Sequence, residues 1–307
     1  MTEPQITIGI TAFNERKWLL EAWESVQNQT DSRWEAIMIL DGGATKKTIN
    51  YFNSINHPQL TKIKFTENVG PYLARTKAIQ YAKTNWYFHL DGDDKLPENS
   101  IYRLLKKIEA NPDVDFIYGQ TIHFNKKNRK VVPSFWDLEL LPKFLTILAT
   151  SPFKTEIFDN LDGYSKDLVR GGADWDFWIG VAEAGYKGLN IDDIIYERRQ
   201  HKNNVGSNWP YTREFVAKTM IKRHPEFFKK NDRIKNCLAS AYEFMARHYS
   251  SKGNRYLANE YAIKSIEYGI NNRMMQKISE EYKMSFFRYK LRRISHFWTT
   301  LIKKIKI

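Results

Sequence analysis

Strand signals and helix signals alternate through the first two hundred residues, and this alternation constrains the fold more than any other feature. ITIGITA (6–12) reads as a buried strand, and NERKWLLEAWESVQNQ after it places Trp18, Leu19, Ala22, Trp23 and Val26 at helical spacing. WEAIMIL (34–40) is a second strand ending at the turn signal DGG. TKKTINYFNSI reads as a helix and LTKIKFT (60–66) as a short strand. GPYLARTKAIQYAK is a helix opened by Gly70 and Pro71, since proline suits a first helical turn. NWYFHL (85–90) is a fourth strand, and PENSIYRLLKKIEANPDV is a helix with Pro97 near its start. DFIYGQTIHF (115–124), NKKNRK and KVVPSF read as a strand, a polar turn and a return strand. Such alternation predicts an α/β fold, a mostly parallel sheet with helices on both faces.

In sheets of this kind ligands bind outside the carboxyl ends of the strands. TAFN, DGG and DGDD each follow a predicted strand, so three separate segments are expected on one edge. The third lies in HLDGDDKLPENS (89–100), which crowds three aspartates into four positions. Carboxylates packed this closely repel unless a cation or hydrogen bonds balance them. Asp91 and Asp93 suit a hard divalent cation, Mg²⁺ or Mn²⁺, with Gly92 between them removing side-chain bulk where a ligand comes close. Asp94 is either a further ligand or the cap of the helix near Pro97. Taken alone, the cluster is equally an acidic surface turn.

After residue 220 the character changes to all helix. NCLASAYEFMARHYSSKGNRYLANEYAIKSIEYGI (236–270) is two helical runs broken at Gly253, similar to a single tetratricopeptide-type hairpin. The expected division is 1–220 for a catalytic domain, 221–282 for a helical hairpin region and 283–307 for a basic tail. Hydrophobic content of 42% and aromatic content of 14% fit a packed globular chain. No stretch reaches the roughly 18 apolar residues of a spanning helix, and MTEPQITIGI lacks the parts of a signal peptide. Cys237 is the single cysteine, which excludes an internal disulfide and a cysteine-built metal site and makes cytosol the expected location.

ITIGITAFNERKWLLEAWESVQNQTDSRWEAIMILDGG resembles the opening of the family 2 glycosyltransferases, matching at Thr11, Asn14, Glu15, Ser25, Val26, Gln29 and Thr30. ENVGPYLARTKAI is similar to the family's Asn-x-Gly…Ala-Arg segment at Asn68, Gly70, Ala74 and Arg75. LDGDDKLPENS resembles its metal motif. LDGYSKDLVRGGADWDFWIGVAEAGYKG resembles the segment that usually reads Gly-Glu-Asp-x-Asp-x-Trp. Four ordered blocks thus cover residues 6 to 188. Leu40 stands where the family has the first Asp of Asp-Asp-Gly-Ser, Gly43 where it has the Ser, and Ala173 where it has the Glu before Asp174.

The resemblance implies a GT-A fold: a Rossmann-like, mostly parallel sheet flanked by helices, here with a C-terminal helical extension. It implies an inverting glycosyltransferase of hexosyltransferase type. The donor would be a nucleotide-diphosphate sugar, with UDP preferred, and the acceptor a glycan or lipid-linked hydroxyl in cell-surface polysaccharide synthesis. Asp91 and Asp93 would hold Mn²⁺ or Mg²⁺ against the diphosphate, with Asp91 also facing the nucleotide sugar. Arg75 would meet a phosphate or a nearby carboxylate. Thr11, Phe13 and Asp41 would receive the base, Phe13 by stacking and Asp41 by accepting a uracil N–H; a core role for Phe13 and an Asx turn for Asp41 stay open. Inversion needs a base opposite the leaving group; Asp174 is the candidate and Asp176 the competitor or helix cap. Trp175 and Trp178 are either an acceptor platform or core. YERRQHKNNVGSN (196–208) resembles the loop that closes near the diphosphate, which nominates Arg199, His201 and Ser207, with His201 as a metal contact.

The net charge of +13 is concentrated at the end: residues 283–307 carry eight Lys or Arg and no acid, so +5 is left for the rest. In that tail Phe286, Phe287, Leu291, Ile294, Phe297, Trp298, Leu301, Ile302 and Ile305 recur at three- and four-residue steps, the pattern of an interfacial amphipathic helix. Docking on the protein itself and nucleic-acid binding share the pattern. The resemblance ranks an anionic membrane first, which places the enzyme at the inner face of the cell membrane, and ranks nucleic acid last. A nucleotidyltransferase is the alternative enzyme, but G-x-x-x-x-G-K is absent. A catalytically degenerate sugar-nucleotide-binding or scaffold protein is the non-enzymatic one.

Overall fold

The structure, a computed structural model, describes residues 3–125, 128–169, 171–201, 213–270 and 272–280. They divide into two compact units, one drawn from Met1–Ser207 and Arg223–Phe227, the other from Asn208–Lys222 and Phe228–Ile307. The expected tail helix, 283–307, and Ser207 lie outside the described residues.

In the first unit β1 (Ile6–Ala12), α1 (Lys17–Gln27), β2 (Trp34–Leu40), α2 (Lys46–Ser54), β3 (Leu60–Lys64), α3 (Pro71–Gln80), β4 (Trp86–Asp91) and α4 (Ser100–Ala110) alternate as the sequence predicts. β5 (Phe116–Phe124) and β6 (Arg129–Val132) form the antiparallel hairpin read from the polar turn between them. A two-residue β7 (Phe153–Lys154), α5 (Thr155–Asn160), a short 3₁₀ turn (Lys166–Leu168), α6 (Ala173–Glu183) and a long β8 (Gly188–Arg199) follow.

The sheet runs β3-β2-β1-β4-β7-β5-β6, and β8 also pairs with β5. β3, β2, β1 and β4 are mutually parallel. The chain steps outward from β1 to β3, then returns to the other side of β1 as β4. That reversal makes the carboxyl ends of β1 and β4 the switch point where doubly wound sheets bind ligands. Every residue of β1 is buried: Ile6, Ile8 and Ile10 meet Leu19, Trp23, Leu104 and Leu105 on one face. The other face packs Ile37, Ile39, Ala74, Tyr87, Phe153, Phe177 and Trp178. Two-sided burial is why these strands read as continuous apolar runs rather than alternating ones. Leu40 is fully buried in the first of these cores, so a carboxylate at that position would be costly.

In the second unit α7 begins at Arg213 and ends on Arg223, itself in the first unit, and a short α8 (Pro225–Phe228) follows. α9 (Arg233–Ser251) and α10 (Arg255–Glu267) are the expected antiparallel pair, turning at Gly253. Ala246, Ala258 and Ala262 let these helices approach around Met275 and Ile278. Among the described residues no helix is long and apolar enough to cross a membrane.

Candidate active site

Register brings the three predicted segments to one edge. Ala12 pairs with Leu40, and Thr11 pairs with Asp91. Asp91 ends β4, on the same strand face as Tyr87 and His89, since alternate residues share a face. Its Oδ1 accepts hydrogen bonds from Arg75 Nη2 (2.7 Å) and His89 Nε2 (3.0 Å). Burial, and then the Arg75 cation, pull the His89 imidazole down to about 4. His89 is therefore neutral: Tyr87 donates its hydroxyl to Nδ1 (3.1 Å), and Nε2–H points to Asp91, with Thr11 Oγ1 3.2 Å away. Burial opposes the Asp91 charge, yet Arg75 and His89 outweigh it and hold the carboxyl well below the usual range.

Gly92 follows. A Cβ there would meet the Thr11 carbonyl at 2.9 Å, and the Gly92 N–H donates to that same oxygen at 2.8 Å. The glycine makes room for the protein's own β1, not for a ligand as expected. Asp94 is also corrected. It neither caps a helix nor opens to a ligand, for α4 starts only at Ser100, and Asp94 is 3% exposed. Its oxygens accept from the Tyr196 hydroxyl (2.9 Å) and the Arg199 N–H (2.6 Å), while Tyr196 accepts from the Asp91 N–H (3.1 Å). Lys95 and Glu197 exchange backbone hydrogen bonds beside it. β8 is thereby stitched to the acidic turn. Arg199 donates to the Asp93 carbonyl (2.7 Å), pairs with Glu21 (2.6 Å) and lies between the rings of Trp18 and Phe124.

The stitching delivers His201 to Asp93, Nε2 to Oδ2 at 2.6 Å. Burial, and then the Asp91 charge, raise the Asp93 carboxyl. Burial, joined by Asp93 and Asp91, also pushes Glu15 up to about 7. Among the described residues no three His, Cys, Asp or Glu side chains form a complete metal cage. Mg²⁺ sites of this kind need only one or two carboxylates and are completed by substrate phosphates. Asp91 and Asp93, both partly open to solvent, together with the His201 imidazole have the charge and donor chemistry a divalent cation would meet.

Phe13 is half-buried, its ring edge facing Gly43. Asp41 is buried, and its oxygens take three backbone N–H groups: Gly42 and Val69 on Oδ1 (both 2.8 Å), Gly70 on Oδ2 (2.9 Å). It ties the end of β2 to the start of α3, which is more than the expected Asx turn.

At the start of α6, Gly172 holds φ at 95°, a left-handed conformation that favours glycine, and Asp174 follows in the first turn. Asp174 Oδ1 accepts from the Tyr72 hydroxyl (3.0 Å) and the Trp175 N–H (2.9 Å). Asp176 is 1% exposed and makes no helix cap. It receives Arg223 Nε (3.1 Å) and His224 Nε2 (3.1 Å), and His224 Nδ1 meets Glu183 (3.0 Å). Burial opposes the His224 charge, but the Asp176 and Glu183 carboxylates raise the imidazole above its usual range. Trp175 and Trp178 are buried, their indole N–H groups bonded to the Leu141 and Ala149 carbonyls; neither is available as a platform.

Arg75 and Tyr72 lie three residues apart on α3, so one helical turn touches both Asp91 and Asp174. Glu15, Tyr72, His89 and Tyr196 were not nominated from sequence. His89 left a local signal in its strand-face alternation with Asp91, and Glu15 in its match to the family's opening motif.

The site is thus a mostly parallel α/β sheet with acidic side chains at its switch point, and a further carboxylate, Asp174, at a helix start. The profile described as Glycosyl transferase family 2 matches residues 7–170, and the chain belongs to that family. An uncharacterised glycosyltransferase of Methanocaldococcus jannaschii is 26% identical over 211 residues, 65% of this chain and 72% of the relative. The hyaluronan synthase of Pasteurella multocida is 22% identical over 84% of this chain, which spans only 26% of that synthase. Among solved structures, residues 1–349 of S. aureus TarS with UDP-GlcNAc superpose with a TM-score of 0.61 at 14% identity, covering 92% of each chain. The Pyrobaculum calidifontis mannosyltransferase PcManGT, with GDP-Man and Mn²⁺, gives 0.55 at 17%, covering 98% of this chain and 84% of that one. The fold is GT-A, and the protein is a glycosyltransferase of a family that works on nucleotide-sugar donors. The nucleotidyltransferase alternative falls with that assignment.

Proposed function

We propose that this enzyme transfers a sugar, with inversion, from a UDP-sugar to a hydroxyl of a glycan or lipid-linked acceptor in cell-surface polysaccharide synthesis. The observation that carries this reading is the division of labour across α3: Arg75 holds Asp91 on one side and Tyr72 holds Asp174 on the other. Donor seat and base are thus separate carboxylates on one rigid frame.

Phe13 stacks on the base, and the lone pair left on Asp41 Oδ2 accepts its N–H. Asp93, with Asp91 and His201, would hold Mn²⁺ or Mg²⁺, which when bound supplies Lewis-acid neutralisation of the diphosphate. Asp174 Oδ2 takes the proton of the acceptor hydroxyl. The acceptor oxygen bonds to the anomeric carbon from the face opposite the phosphate. The carbon–oxygen bond to the diphosphate breaks, and its electron pair leaves with the nucleoside diphosphate. The basic tail, 283–307, would hold the enzyme against the anionic inner face of the membrane, beside lipid-linked acceptors.

A panel of nucleotide sugars with Mn²⁺, read by nucleoside diphosphate release with and without EDTA, tests this. UDP-linked donors should turn over and EDTA should stop them. Binding without turnover, under every acceptor tried, would favour a degenerate sugar-nucleotide-binding protein. No binding at all would sink the reading.

A further inference from the structure

Tyr72 lies beyond the residues the transfer reaction names, yet its hydroxyl is aimed at the base. The side chain is 7% exposed. Its ring packs edge-on to Tyr164, centroids 5.5 Å apart, and the Arg75 guanidinium sits 5.7 Å from its centroid. The hydroxyl oxygen accepts the Gly172 N–H at 3.2 Å, and the hydroxyl proton goes to Asp174 Oδ1 at 3.0 Å. In this bond the tyrosine hydroxyl is the donor and the carboxyl oxygen the acceptor. Burial, and then the nearby Asp174 charge, hold the phenol well above its usual range, which keeps the donated proton on it.

Asp174 Oδ1 therefore receives two donors, Tyr72 and the Trp175 N–H. Oδ2 has no hydrogen-bond partner among the described residues. The two oxygens of one carboxylate thus differ: one is anchored by two donors, and the other meets no donor among the described residues.

We propose that Tyr72 is a positioning residue, which fixes the Asp174 carboxylate so that Oδ2 alone faces the acceptor hydroxyl. This rests on the reading of Asp174 as the general base. A base must stand within hydrogen-bond reach of the proton it removes, and a carboxylate free to rotate spends time with neither oxygen aligned. Tyr72 restrains it from the helix whose next turn holds Asp91, so base and donor seat keep their spacing. Functional side chains held by locked neighbours on rigid elements are placed more accurately than those on loops.

The test is Tyr72→Phe, which removes one oxygen, in the full chain with a UDP-sugar that the wild type turns over and Mn²⁺. Water serves as acceptor if no other is found. kcat should fall about 10- to 100-fold, the scale of a misplacement near one ångström. Donor KM and equilibrium UDP affinity should stay within about twofold, because the hydroxyl touches no donor-seat residue. In an Asp174→Asn background the same substitution should cost nothing further, since Tyr72 acts only through Asp174. A kcat within twofold of wild type would overturn the inference alone. So would loss of donor affinity together with an early thermal transition, or a full additional loss in the Asp174→Asn background. Absence of donor turnover by the wild type would overturn the functional reading and this inference with it.

Discussion

His201 Nε2 stands 2.6 Å from Asp93 Oδ2, although 108 residues separate them in the chain. The contact exists because Asp94 and Tyr196 pin the end of β8 against the turn after β4. In the proposed function both side chains face the diphosphate with the cation. EDTA should abolish donor turnover, and Mn²⁺ or Mg²⁺ should restore it. His201→Ala should weaken the cation about tenfold, and Asp93→Asn by more. Titration of turnover against free Mn²⁺ checks this; an unchanged half-saturation in both variants removes them from the site.

Asp174→Asn keeps the size of the side chain but makes a poor base. kcat should drop by about a thousandfold, within the range for losing a general base. UDP affinity, measured by calorimetry, should barely change. Loss of UDP affinity instead would move Asp174 from the acceptor side to the donor seat.

Arg75 is 9% exposed and compensates Asp91. Arg75→Met should destabilise the protein by about 2 kcal/mol. That is below the usual cost of stranding a buried charge, because a third of the Asp91 side chain remains open to solvent. Denaturant unfolding reads the change, and donor affinity should fall with it. A variant as stable as wild type would show that the neutral His89 alone can carry Asp91.

The His224 clamp on Asp176 and Glu183 has a definite pH sign. Its folded value lies above the ordinary 6.5. The stabilisation is therefore complete below about 6.5 and is lost as pH rises through the folded value. The melting-temperature gap between wild type and His224→Gln should be widest below about pH 6.5 and narrow as pH rises above it. A gap that stays constant across this range would mean that the clamp works without the charge.

A chain ending at Lys283 should lose flotation with liposomes containing anionic lipid while keeping UDP affinity. The apolar and basic residues removed are those an anionic bilayer would bind. Equal flotation of both forms would remove the membrane from the proposal.

What was legible beforehand follows physical range. The β1–α4 alternation depends on local periodicity, and the register Thr11↔Asp91 followed once the strands were recognised. The roles of Asp94, Trp175 and Trp178 did not, because each is decided by partners far along the chain. Asp94 lies 102 residues from Tyr196, and Trp175 lies 34 from Leu141. A two-residue β7 is too short to show any period, and β8 is irregular where its pairing with β5 shifts register near Gln120. Tyr72 was invisible for the same reason: nothing in GPYLART announces a hydroxyl aimed at residue 174.

The Tyr196–Asp94 bond also has a consequence for the order of assembly. Parallel β1, β2 and β4 can pair as soon as the first ninety or so residues are available, but the Asp94 side chain of the acidic turn finds its partners only in residues 196–199. Closing so long a loop is slow relative to local structure. During synthesis the sheet edge should therefore exist before it can grip a nucleotide. A nascent chain stalled ahead of β8 would have a folded centre but would lack the contacts that hold Asp94.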